Sequence, residues 1–219
     1  MNKTRCGIVL SSLCVGALGT LGAATAQGAV METIKAAKTK LDEAANQPVK
    51  IKVSGSGKLV DNEKDVLAVI DGFKKKIRTT PVMAFGVSFD PFDRVAITYQ
   101  TGPGTEVLQS IGYEKGVIEG KPRPFKLLGK AKVVDNVFDI DKVKFNLIPA
   151  LIKEARKRTT AETKAKNLYG VTINIGQSRI SDNRVGPVRI GITIATDGKS
   201  VGYMTASESG EVLEFRVKS

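Results

Sequence analysis

The chain has 219 residues, with 34 Lys and Arg against 22 Asp and Glu, a formal net charge of +12 and no histidine. The missing histidine excludes His-based triads, imidazole bases and imidazole metal ligands, which leaves Ser with Lys, paired carboxylates or a carboxylate-held metal for any enzyme chemistry. The positive balance points to anionic partners or acidic protein faces.

In chain order, MNKTR supplies two positive charges and CGIVLSSLCVGALGTLGA is apolar without a charge. Followed by the small triplet Ala24, Thr25, Ala26, this predicts a secretory signal peptide over residues 1–26, with a cleavage frame ending at Ala29 as the alternative. Leu13 before Cys14 and the early position of Cys6 do not fit a lipoprotein, and the many Gly, Ala, Ser and Thr residues make a weak membrane span. Cleavage removes Cys6 and Cys14, hence any disulfide, thiol nucleophile or thiolate metal site. It also takes Lys3 and Arg5 and no acids, lowering the net charge from +12 to +10. The expectation is an exported chain, periplasmic or extracellular, with no membrane span after cleavage.

Residues 27–56 hold an amphipathic helix from Met31 to Asn46, with Ile34, Ala37, Lys38 and Leu41 on one stripe, and a short strand, VKIKV, at 49–53. Residues 57–120 begin with a helix carrying Val66, Leu67, Val69, Ile70, Phe73 and Ile77 at helical spacing, capped by Asn62 or Asp61. Alternation then predicts strands through Met83, Phe85, Val87 and Phe89 and through Val95, Ile97 and Tyr99, with further strands at 105–112 and 117–119. Residues 121–130, with two prolines, are a linker or edge strand. Residues 131–219 repeat the order: a helix with Leu147, Ile148, Leu151, Ile152 and Ala155, capped by Asn146 with Pro149 in its first turn, then strands through Val171–Ile175, Ile190–Ile194, 200–207 and 211–217.

The two halves also match as strings. RVAITYQT at 94–101 matches RIGITIAT at 189–196, GVSFD at 86–90 matches GVTIN at 170–174, and Val107, Glu114, Gly116 and Ile118 fall on Val201, Glu208, Gly210 and Val212. The order of the matches never changes and loop lengths alone differ, as a duplicated folding unit would leave behind. The fold class expected is α+β: two tandem repeats, each a helix packed on an antiparallel sheet of three or four strands, packed together or sharing one sheet.

The run GYMTASESGEVL, Gly202 to Leu213, following a helix and a β-hairpin, resembles the PepSY-type domain of exported bacterial proteins. The resemblance covers mainly residues 143–217. In the first half, Lys115 and Val117 stand where the motif has Ser and Glu. It implies a fold similar to each half of the beta-lactamase inhibitor protein and a role in binding, and in some members inhibiting, a partner protein.

SGSGK at 54–58 and DGKS at 197–200 lack the spacing of a phosphate loop and read as turns, as do Asp90, Asp93, Asp182 and Asp197 in hairpins, so no cofactor or metal is expected. If the buried strand residues face the helices, Arg94, Thr98, Arg189 and Thr193 face away from them and are candidates for gripping a protein or peptide partner. The segment 177–188, QSRISDNRVGPV, makes a longer hairpin than the first half has and adds Arg179 and Arg184 as candidates. Lys74, Lys75, Lys76 and Arg78 at the end of the first helix, and Lys153, Arg156, Lys157 and Arg158 at the end of the second, are candidates for an anionic envelope polymer. With no Trp and few aromatics, stacking on nucleic acid bases is poorly served. The function expected is non-enzymatic binding of a protein or peptide through the sheet faces or the 177–188 hairpin. The alternatives are a polymer binder and a hydrolase without His or Cys.

Overall fold

A computed structural model describes residues 31–39, 43, 46–55, 57–127, 132–165, 167–179 and 185–218; the signal segment lies outside them. The chain divides into one compact unit ending at Glu43 and another over residues 44–219. In the first, residues 31–39 form helix α1, on which Met31 and Ile34 are exposed. Leu41 of the predicted stripe lies outside the described residues.

The second unit is α+β. Helices α2 (Glu63–Ile77) and α3 (Ile148–Thr163) accompany eleven strands: β1 (Val49–Lys50), β2 (Met83–Phe89), β3 (Val95–Gln100), β4 (Leu108–Glu114), β5 (Val117–Ile118), β6 (Arg123–Phe125), β7 (Phe138–Asp139), β8 (Gly170–Arg179), β9 (Val185–Thr196), β10 (Lys199–Ser207) and β11 (Val212–Val217). All belong to one antiparallel sheet in the order β1-β5-β4-β3-β2-β8-β9-β10-β11, with β6 beside β4 and β7 beside β2. The sheet is continuous across the chain's two halves, because β2 and β8 pair with Ser88 opposite Asn174. That seam occupies backbone groups that two separate sheets would leave bare at their edges.

Helix α2 starts where Asn62 accepts hydrogen bonds from the backbone N–H groups of Lys64 (3.0 Å) and Asp65 (3.4 Å). Its buried stripe is Val66, Val69, Ile70 and Phe73, and it stops at Arg78, whose left-handed backbone (φ 59°) ends the helical run. Helix α3 begins differently. A 3-10 turn, Phe145–Leu147, leads into it with no side-chain cap, so Asn146 does not cap; Pro149 in the first turn lacks the N–H that a cap would satisfy. It runs on to Thr163 and ends at Lys164, again at φ 59°. The basic run 153–158 therefore lies in the middle of the second helix, not at its end.

Phe89, Ile97 and Ile111 in one half and Ile173, Ile190, Ile192, Ile194 and Met204 in the other belong to a single core cluster with Phe73, Ile148 and Ile152 of the helices. Each fully buried side chain of this size contributes about 1.5–3 kcal/mol. Met83 and Phe85 depart from the predicted face. The β2/β3 register shifts between Ala84 and Gly86, and the extra residue turns Met83 and Phe85 to the opposite side, where they join Leu108, Val133, Val137 and Leu127 in a second, smaller cluster. The same register places Val87 beside Ile97 and Ile173 beside Ile192, so the strings GVSFD and GVTIN are two residues out of step with the sheet. The segment 121–130 is an edge strand over its middle: β6 pairs with β4, and Phe125 stacks tilted on Phe85 at 5.7 Å.

Candidate binding face of the sheet

With the helix-facing side of each strand committed to the core, the alternate residues line the other face. Its floor is small and polar: Ser88 on β2, Ala96 and Thr98 on β3, Ser110 and Gly112 on β4, Asn174 and Gly176 on β8, Gly191 and Thr193 on β9. Gly86 and Gly176 sit opposite each other across the seam, and a Cβ on either would lie about 3.4–3.5 Å from the carbonyl oxygen of Ile175 or Phe85. A floor without long side chains leaves depressions between larger residues at its margins.

In the first half, a hollow of about 450 Å³ is lined by Ser88, Ala96, Ser110 and Gly112, with Asp90, Arg94, Glu119 and Arg123 at its margin. These charges are satisfied within the chain. Arg94 Nε donates to Asp90 Oδ2 at 2.5 Å, and Arg123 donates to Glu119, which also accepts from Gly112 N at 3.1 Å. Tyr113, at the same margin, has its phenol pKa raised, chiefly by burial. Thr98 lies half-buried, opposite Gly86 and Ser110, and lines neither hollow.

In the second half, a hollow of about 560 Å³ is floored by Asn174, Gly176, Gly191 and Thr193. The Phe85 and Asn136 region walls one side, and Tyr203 and Thr205 of β10 wall the other. Arg189 is the one charged residue among those lining it, and it makes no ion pair with any described residue. Gln177 donates through Nε2 to Val137 O (3.3 Å), while its buried Oε1 has no partner among the described residues. The Arg216 guanidinium lies over the Tyr203 ring, 4.7 Å from its centroid, and 3.9 Å from Glu214.

Of the residues singled out in the sequence, Arg189 and Thr193 meet in the second hollow and Arg94 borders the first. Arg184 and the hairpin tip at 180–184 lie outside the described residues; Arg179 ends β8 opposite Val185. Four of the eight cationic candidates on the helices are engaged. Lys74 pairs with Asp141, Lys76 Nζ donates to Gln47 O at 2.7 Å, Arg156 pairs with Asp61 at 2.7 Å, and Arg158 pairs with Glu154 at 2.7 Å. Desolvation, then Arg78, holds the Lys76 amine below the usual lysine range, and the Arg158 hydrogen bond holds Glu154 below the usual carboxylate range. Lys75, Arg78, Lys153 and Lys157 are exposed. Asn136, Asn174, Gln177, Tyr203, Arg123 and Arg216 were missed; strand alternation alone would have found Asn174 and Tyr203.

Among the described residues no group of three or more His, Cys, Asp or Glu is placed to hold a metal, and no helix is long and apolar enough to cross a membrane. No protein-family model matches the chain, and searches of curated proteins and of solved structures gave no match.

Proposed function

We propose that this is an exported, non-enzymatic, PepSY-like binding protein that seats a polypeptide partner on the open sheet face of its second half, with an acidic side chain of the partner on Arg189. The observation that carries this reading is Arg189, without an ion pair to any described residue, in a hollow of neutral lining residues. A guanidinium there offers a carboxylate paired, charge-assisted hydrogen bonds. The engaged state of Lys74, Lys76, Arg156 and Arg158 weakens the rival reading of an anionic-polymer site on the helices.

A duplicated ancestry belongs to the same proposal. It is supported by the strand order, which runs outward from the β2/β8 seam as helix, then meander, on both sides. The left-handed cations Arg78 and Lys164 ending the helices, and the positive-φ glycines Gly116 and Gly210 in the matching turns, support it too. On this reading one copy has kept its charges paired internally and the other has turned its arginine toward a partner.

The test is selection from a displayed random-peptide library on the purified chain. Peptides bearing Asp or Glu should be enriched, and Arg189→Glu should cut their binding by about 10- to 100-fold, as expected for a lost charge-assisted hydrogen bond. Enrichment that ignores Arg189→Glu, or no enrichment at all, would overturn the reading. Retention of polyanions that collapses with added salt would transfer the role to the basic helix faces.

A further inference from the structure

We propose that β11 is a self-pairing edge, through which two copies of this chain join antiparallel with Phe215 opposite its own counterpart. This goes beyond the groove, which lies on the face of the sheet. β11 ends the strand order, and no described strand pairs with its outer side; the opposite end of the sheet offers only the two residues of β1.

The backbone sets which residues are available. Lys218 N donates to Val201 O at 3.0 Å, and Val217, Arg216, Phe215 and Glu214 stand opposite Gly202, Tyr203, Met204 and Thr205. In an antiparallel ladder alternate residues aim both N–H and C=O at the same neighbour. Lys218, Arg216 and Glu214 therefore bond toward β10, while Val217 and Phe215 present both groups outward. The inward-bonded residues Glu214 and Arg216 carry their side chains on the open face, 55% and 66% exposed.

Charge then selects the register. With Phe215 opposite its counterpart, each Glu214 faces the other copy's Arg216, twice over, at the closely spaced non-hydrogen-bonded positions of the ladder. Sliding by two residues one way sets Glu214 against Glu214, and the other way Arg216 against Arg216. One register of the three thus pairs outward backbone groups and opposite charges together. On the helix side it brings the two half-buried Phe215 rings to the same seam, each already under an Arg158 guanidinium at 5.8 Å.

The experiment is sedimentation velocity of the purified full chain over about a hundredfold range of concentration, since a dimer follows mass action. The wild-type mass should rise from one copy to two. Glu214→Arg and Arg216→Glu, each confirmed folded by its melting curve, should each weaken self-association by about tenfold or more, because each sets like charges opposite one another. Mixing the two variants should restore the dimer, since every facing pair is then opposite in sign. A wild-type chain that stays monomeric across the range, a dimer that survives both reversals, or variants that do not complement each other on mixing would each overturn the proposal.

Discussion

The two halves of the sheet turn the same side to the core and the same side outward, but cover that outer side differently. In the first half the open face is partly covered where Phe125, Leu127, Val133 and Val137 close over Met83, Phe85 and Leu108, and its remaining charges pair with one another. In the second half nothing described covers the floor of Asn174, Gly191 and Thr193, and Arg189 stands alone among the lining residues. The core-facing pattern thus stays fixed while inserted segments decide which face is available. A partner site here is as much a matter of what fails to cover a strand as of what the strand carries.

The largest test of that contrast asks whether the halves are one body. Phe73 of α2 is fully buried in the cluster that includes residues of both halves, and Phe73→Ala should cost about 3–5 kcal/mol. Calorimetry should show a single transition that moves as a whole; a first-half transition that moves alone would show two independent cores. Next, Phe125→Ala should uncover Phe85 and make the first half resemble the second. Phe125 is 39% exposed, so a loss of about 1–2 kcal/mol in denaturant unfolding is expected. The smallest effect contrasts the helix starts. Asn62→Ala removes a working cap and should cost about 1 kcal/mol, whereas Asn146→Ala should stay within about 0.5 kcal/mol. Equal losses would mean that both helix starts are held in the same way.

Much of this was legible in the sequence, and the reasons are local. Period-two and period-3.6 patterns found both helices and the main strands, because a residue that must be buried repeats with the geometry of its element. The Asn62 cap was legible because the cap and the acids after it are adjacent in the chain. The covering of the first half was not, since it depends on a one-residue bulge at Ala84/Gly86 that reverses the side on which Phe85 emerges, and on a distant Phe125. Arg189 could be placed on the open face by counting. That no described acid pairs with it could not, because that depends on which acids the fold brings near, and at Arg94 the fold supplies Asp90. The extent of α3 was misjudged because its basic run resembles a helix end, while the helix continues past it to stop at Lys164.

The β2/β8 seam also makes the sheet a ruler. From Gly112 on β4 to Thr193 on β9 the path crosses β3, β2 and β8, four steps between hydrogen-bonded neighbours. At about 4.8 Å a step the two floors together span roughly 19 Å, and they adjoin at the seam, where Ser88 of one stands opposite Asn174 of the other. An extended chain advancing about 3.3 Å per residue needs about six residues to cross both floors. A shorter ligand covers one floor or straddles the seam, and the length at which affinity stops rising would measure the width from outside.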